Sequence, residues 1–118
     1  MNYYYLHLGD YAKDAGHLTM VEDGAYRRLM DVYYSTEKPL PTHQPALYRL
    51  TRAQTKRERN AIDDVLREFF SQDDRGWHHK RCDEEIAKAR REGEETRARR
   101  DNENERQRRH RERRKALF

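Results

Sequence analysis

The residues best suited to recognition chemistry lie around a T-x-x-E motif that begins at Thr55. They are Arg52, Lys56, Arg57, Arg59 and Asn60. Arginine can bind a guanine edge, and asparagine an adenine edge, through paired hydrogen bonds. If a helix begins after Thr55 and enters a major groove, its first turns carry these contacts. The alternative is a solvated helix face, which Asp63 and Asp64 favour because carboxylates on the same helix repel phosphate.

Further basic residues lie outside this cluster. Arg75, Lys80 and Arg81 lie at and after a predicted turn near Gly76. If this turn is the tip of a wing, these residues are expected to touch phosphate or the minor groove. An ordinary polar turn explains the same three residues. Near the C-terminus, an arginine-rich stretch predicts sequence-independent attraction to phosphate. Its candidate contacts are Arg108, Arg109 and Arg111.

Catalytic and metal-binding motifs are absent from the sequence. It contains no G-x-S-x-G, Walker A or H-E-x-x-H motif, and its five glycines form no phosphate-binding loop. His78, His79, Cys82 and Asp83 raise the question of zinc, but their spacing matches no standard pattern and a second ligand pair is missing. We therefore expect a non-enzymatic protein with no cofactor and no bound metal.

Charge is distributed unevenly along the 118 residues. Of these, 41% are charged and 34% hydrophobic, with a net charge of +4. Residues 1–80 hold 12 basic and 12 acidic side chains, whereas 97–118 hold ten basic and four acidic ones. A polyanionic partner is indicated. The lone Cys82 cannot form an intramolecular disulfide, and no apolar run could span a membrane, so we expect a cytoplasmic protein.

The N-terminal half predicts a strand followed by a helix. The alternating, tyrosine-rich NYYYLHL at 2–8 predicts a short strand, and Gly9 and Asp10 predict a turn. Thr19 and Glu22 form a capping-box motif at the start of a helix. The apolar stripe of that helix is Leu18, Val21, Ala25, Leu29, Val32 and Tyr33.

Three further elements are predicted after the prolines at 39, 41 and 45. The first is a short helix over 46–50, with Leu47 and Leu50 facing inward. A helix capped by Thr55 and Glu58 follows, and its inward stripe is Ile62, Val65, Leu66 and Phe69. FFSQ and WHHK then predict a β-hairpin with a four-residue loop.

This order predicts an α+β, mainly helical fold over 1–86, resembling a winged helix-turn-helix domain with the hairpin as its wing. A small α+β domain that binds no nucleic acid is the alternative. Residues 87–118 lack large apolar residues before Leu117, so they form a charged, Arg-rich C-terminal extension, helical or disordered. Acid-first pairs four residues apart favour a helix, and Gly93 weakens it. These pairs are Glu84–Lys88, Glu95–Arg99 and Glu105–Arg109.

The motifs NYY, HLGDY, EDGAYRRLMDVYY, EKPLP, FF, GW and KRCDEEI together resemble the YdaU-like family of uncharacterised phage and prophage domains, over about residues 2–86. The resemblance implies a winged-helix-like module encoded beside phage replication genes, with no enzymatic residues. It implies a role in replication initiation or helicase loading, in the cytoplasm of a bacterial host or phage-infected cell. We therefore expect a duplex-DNA-binding accessory protein. The alternative is an adaptor that docks a replicative helicase, a helicase loader or a second copy of itself without touching DNA.

Overall fold

The computed structural model describes residues 1–117 and is mainly helical, with one small antiparallel hairpin. The elements in chain order are α1 (Leu8–Ala15), α2 (Met20–Thr36), α3 (Gln44–Thr51), α4 (Lys56–Phe69), β1 (Ser71–Asp73), β2 (Gly76–His78) and α5 (Lys80–Leu117). Backbone contacts divide the chain into two units, Met1–Ile86 and the residues from Ala87 onward. Among the described residues, no helix is both long enough and apolar enough to cross a membrane.

The predicted N-terminal strand is wrong. Residues 1–7 form no strand, and Gly9 and Asp10 lie inside α1 rather than in a turn. The alternation reflects side-chain packing: the Tyr4 ring stacks on Tyr34 at a centroid distance of 4.2 Å, and its hydroxyl donates to Asp31. A strand also needs a neighbouring backbone. The hairpin is the one sheet among the described residues, and it does not pair with this segment.

The predicted start of α2 is confirmed. The Thr19 hydroxyl accepts from the Glu22 N–H at 3.2 Å, and the Glu22 carboxylate accepts from the Thr19 N–H at 3.0 Å. Ala25, Leu29 and Tyr33 are buried as predicted, while the other three members of the stripe are partly buried. The buried face is wider than the predicted stripe. It also includes Tyr26, Met30 and Tyr34.

The short helix α3 buries Leu47 but not Leu50, so the second of these predictions is wrong. Leu50 is 48% exposed, and Thr51, one turn after Leu47, lies inside instead. The Thr51 hydroxyl donates to the Leu47 carbonyl at 2.9 Å, which allows a polar side chain to occupy that inward position. The helix ends at Arg52, whose φ of 59° is left-handed.

The hairpin is confirmed, but its loop has two residues rather than four. Asp73 pairs with Gly76, and Gln72 pairs with Trp77. Leu40 adds an isolated antiparallel bridge to Trp77, with both N···O distances 2.9 Å. Gly76 is required here because its φ is 138° and a Cβ would lie 2.1 Å from the Leu40 carbonyl oxygen.

The inward stripe of α4 is confirmed at Ile62, Val65 and Leu66, which are buried, while Phe69 is partly buried. The Arg-rich extension is helical through Leu117, so the helical alternative is the one observed. Two of the three predicted acid-first pairs form within the described residues. They are Glu95–Arg99 at 3.8 Å and Glu105–Arg109 at 3.0 Å.

Candidate nucleic-acid interface

Helices α3 and α4 are joined by a short turn over 52–55. The Ala53 N–H donates to the Tyr48 carbonyl at 2.9 Å, which folds the turn back on α3. Arg52 occupies the left-handed position that more often holds glycine. The Thr55 hydroxyl accepts from the Glu58 N–H at 3.2 Å and begins α4. The turn therefore brings the end of α3 beside the first turn of α4.

An open cleft of about 610 Å³ lies against this turn. Three arginine side chains line it, from the end of α3, the turn and the first turns of α4. They are Arg49, Arg52 and Arg59. The sequence predicted the last two as site residues but missed Arg49, because a lone arginine near the end of a helix looks like a solvated charge. Its spacing of three residues from Arg52 was the available signal.

Arg59 is held against α3. Its Nε donates to the Ala53 carbonyl at 3.2 Å, and its guanidinium carbon lies 5.3 Å from the centre of the Tyr48 ring. The Tyr48 hydroxyl in turn donates to both Asp63 carboxylate oxygens at 2.9 Å. Burial, followed by this hydrogen bond, raises the Tyr48 pKa. The guanidinium is thus oriented before any anion arrives, which lowers the entropy cost of binding one.

The remaining cluster residues lie on exposed parts of α4. Lys56, Arg57 and Asn60 are all exposed. Lys56 and Asn60 are one turn apart and share a face, which suits contact with a groove. Farther along, Asp64 pairs with Arg67, so the uncompensated positive charge belongs to the first turns of the helix.

The predicted wing residues have different surroundings. Arg75 is exposed at the hairpin tip, and Lys80 is exposed at the first position of α5. Arg81 lies 2.5 Å from Asp10 and 4.0 Å from Glu85, so its charge is compensated within the chain. Arg81 is therefore less available to phosphate than Arg75 or Lys80.

The arginine-rich end of α5 carries the last three predicted contacts. Arg108 and Arg109 share Glu105 as an ion-pair partner, at 3.7 Å and 3.0 Å. Arg111 is exposed. These pairs are solvent-exposed and weak, so phosphate can compete for the guanidiniums.

The two motifs EDGAYRRLMDVYY and KRCDEEI contact each other at the start of α5. The Tyr33 hydroxyl donates to Asp83, and the Tyr34 hydroxyl donates to Glu85 at 2.6 Å. Tyr26 and His79 are hydrogen-bonded at 2.9 Å. These motifs therefore hold the N-terminal unit together and do not line the arginine cleft.

The residues that raised the question of zinc form part of this contact. Cys82 is fully buried, and burial raises the pKa of its thiol to about 12. Burial also lowers the pKa of His79, with the Arg81 charge acting in the same direction. Within the described residues, no group of three or more His, Cys, Asp or Glu side chains is arranged to hold a metal ion.

Comparison with known proteins identifies the N-terminal unit. Residues 2–87 match the family described as "Protein of unknown function (DUF1376)". The chain is 35% identical over 88 residues to the uncharacterized protein YdaU of Escherichia coli strain K12. That match covers 75% of this chain but 30% of the relative, and no solved structure matches the chain. The chain belongs to the DUF1376 family.

Proposed function

We propose that this chain is a non-enzymatic DNA-binding module whose α3–α4 helix-turn-helix contacts duplex DNA. The observation that carries the proposal is that three arginines line one cleft, beside the exposed first turn of α4. Arg49, Arg52 and Arg59 supply planar donors that suit phosphate oxygens. The first turn of α4 supplies Lys56 and Arg57, whose side chains are long enough to reach a groove.

The order of the elements supports a winged arrangement. Helix α2, the bridge at Leu40, helices α3 and α4 and the hairpin follow one another as in a winged helix-turn-helix domain. The Leu40–Trp77 bridge acts as a minimal third strand. In this arrangement α4 is the recognition helix and the tip at Arg75 is the wing.

The contacts divide into two kinds. The cleft arginines bind backbone phosphates and fix the orientation of the domain on DNA. Lys56, Arg57 and Asn60 face the major groove, where Asn60 suits adenine. The sequence predicted base recognition for Arg59. We assign it to phosphate binding instead, because its Nε already donates to the Ala53 carbonyl oxygen. Lys80 and the arginines of the extension add sequence-independent attraction.

The biological role that we propose is replication initiation for a phage or prophage, which rests on the family resemblance. A second candidate role is an adaptor that docks a helicase or helicase loader. One observation favours it: a separate cleft, between α2 and α4, is lined mainly by apolar residues and also by Glu58.

A salt-dependent titration tests DNA binding. Full-length protein is titrated with random-sequence duplex at several salt concentrations, alongside the variant R49Q/R52Q/R59Q. Each lost phosphate contact should flatten the slope of log K against log salt by about 0.9. R67Q is the matched control, because Arg67 lies on α4 but pairs with Asp64, and its slope should not change. Equal slopes for the triple variant and the parent would refute the assigned cleft.

Base recognition needs a different measurement. Selection from random duplexes should enrich a preferred site, and Asn60→Ala should reduce discrimination at one position by about 1–3 kcal/mol. Arg108→Ala should weaken preferred and random duplexes alike. If no site is enriched while affinity remains salt-dependent, the domain binds DNA through phosphate alone.

A further inference from the structure

The Glu58 carboxylate does not close a capping box at the start of its own helix, as far as residues 1–117 show. At the first T-x-x-E motif, the Glu22 carboxylate bonds back to the Thr19 N–H and closes the capping box. At the second, the Thr55 hydroxyl is bonded, but Glu58 makes no return bond among residues 1–117. Its Oε2 is instead buried without a hydrogen-bond partner in that range. The same motif therefore has two different outcomes.

The Glu58 side chain lines a cleft of about 240 Å³ between α2 and α4. Most of the cleft wall is apolar. Its apolar members are Met20, Val21, Ala25, Ala53 and Ile62. Met20, at the rim, is 93% exposed. A buried acceptor without a donor costs free energy, and a ligand that donates to it recovers that cost.

Gly24 is a second unexplained feature of the same cleft. It lies inside α2, where glycine costs about 1 kcal/mol relative to alanine. A Cβ at this position would meet no atom of the described residues within 4 Å, so packing within residues 1–117 does not require glycine. The missing side chain leaves the cleft open along α2. Gly24 and Glu58 therefore each lower the stability of the folded chain, and both line the same cleft.

The charges of the cleft indicate the chemistry of its occupant. Arg28 also lines it, but its guanidinium donates to the Thr51 carbonyl at 3.1 Å and not to Glu58. An apolar wall that ends in a carboxylate matches a side chain with an aliphatic stem and a cationic head. Phosphate would be repelled by Glu58. Arginine suits a buried ion pair better than lysine because its charge is delocalised and more weakly hydrated.

We infer that this cleft docks a partner protein through one arginine side chain, with its stem along Val21 and Ile62 and its guanidinium on Glu58. Arginine is a frequent anchor at protein interfaces, and a single buried anchor can supply much of the binding energy. The inference rests on the adaptor role proposed above and deepens it, and it does not depend on the proposed DNA contact. Ala53 lines both this cleft and the arginine cleft, so partner and DNA would bind on two sides of one turn.

The binding test uses n-butylguanidinium as an arginine mimic and neutral n-butylurea as its matched control. Titrations are followed by amide chemical shifts of the full-length protein. The guanidinium should shift Gly24, Ala25 and Ala53 more than the urea does. Glu58→Gln should weaken binding about tenfold, because the hydrogen bond to the guanidinium loses the negative charge of its acceptor. Glu22→Gln should bind like the parent, since Glu22 serves the cap.

Three further variants sharpen this test. Gly24→Leu should fill the cleft and abolish the shifts while leaving α2 intact, which circular dichroism checks. Glu58→Ala should lower the unfolding midpoint less than Glu22→Ala, because both variants lose a carboxylate near a helix N-terminus but only Glu22→Ala loses a hydrogen bond to the backbone. Absent shifts, equal shifts with the urea, or undiminished binding by Glu58→Gln would overturn the inference. An equal fall in the two midpoints would make Glu58 a capping residue and overturn it too.

Discussion

Some carboxylates of the first unit have partners far along the chain, whereas the ion pairs described above for the extension are local. In Met1–Ile86, Asp83 and Glu85 accept from tyrosines 50 and 51 residues away, and Asp10 pairs with an arginine 71 residues away. From Ala87 onward, pairs such as Glu95–Arg99 and Glu105–Arg109 join residues four positions apart. Long-range pairs form only when the unit folds as a whole, whereas local pairs form in any helix. The first unit should therefore unfold cooperatively, and the second should melt gradually.

The largest expected effect comes from the core of the first unit. Leu29 is fully buried in α2, so Leu29→Ala should lower the free energy of unfolding by about 2–5 kcal/mol. Urea unfolding followed by fluorescence measures this, because Trp77 is the chain's one tryptophan and lies in the first unit. Arg100→Ala in the extension is the control and should leave the Trp77 transition unchanged. A similar fall for both variants would break the distinction between the units.

A smaller effect is expected from a helix cap. Thr19→Ala removes the hydroxyl that accepts from the Glu22 N–H, so it should destabilise the first unit by about 1 kcal/mol. Thr96→Ala is the matched change in the extension, where the hydroxyl donates to the Glu92 carbonyl within the helix at 2.8 Å. It should leave the Trp77 transition unchanged and the helical circular dichroism equal or stronger. A loss of helical signal there would show that the extension depends on side-chain bonds.

The pH dependence of stability should also differ between the units. Burial lowers the pKa of His79, so below its ordinary value of about 6.5 the unfolded chain binds more protons than the folded one. The stability due to neutral His79 is complete above this pH and is lost as the pH falls toward the folded pKa. His79→Asn should flatten this part of the profile, and His110→Asn in the exposed extension should not. Superimposable profiles for His79→Asn and the parent would contradict the assignment.

The smallest effect is expected from a pair in the extension. Glu105→Gln removes the partner of Arg108 and Arg109, worth about 0.2–0.5 kcal/mol per pair in a helix. Helical circular dichroism should fall slightly at low salt, and the difference should disappear at high salt because exposed charges are screened. The Trp77 transition should not move. A shift of that transition would mean that the two units are coupled.

Much of the N-terminal fold could be predicted from local patterns. The capping hydroxyls of Thr19 and Thr55, the inward stripes of α2 and α4, and the hairpin near Gly76 follow from hydrogen bonds and periodicities within a few residues. The separation of a core from a charged extension follows from where the apolar residues lie. The basic cluster at the start of α4 could also be predicted, because its members are neighbours in the sequence and therefore lie close together in any fold.

Only the tertiary structure decided the remaining contacts. The segment at 1–7 alternates like a strand, yet no strand of residues 1–117 pairs with it. Thr51 rather than Leu50 completes the inward face of α3. Two identical T-x-x-E motifs differ because Glu58 faces a cleft that α2 creates. Arg59 turns toward Tyr48 because the left-handed turn at Arg52 folds α4 back on α3. In each case the conformation depends on a residue of another helix or strand. The local sequence does not specify which element will pack there, so it could not predict these contacts.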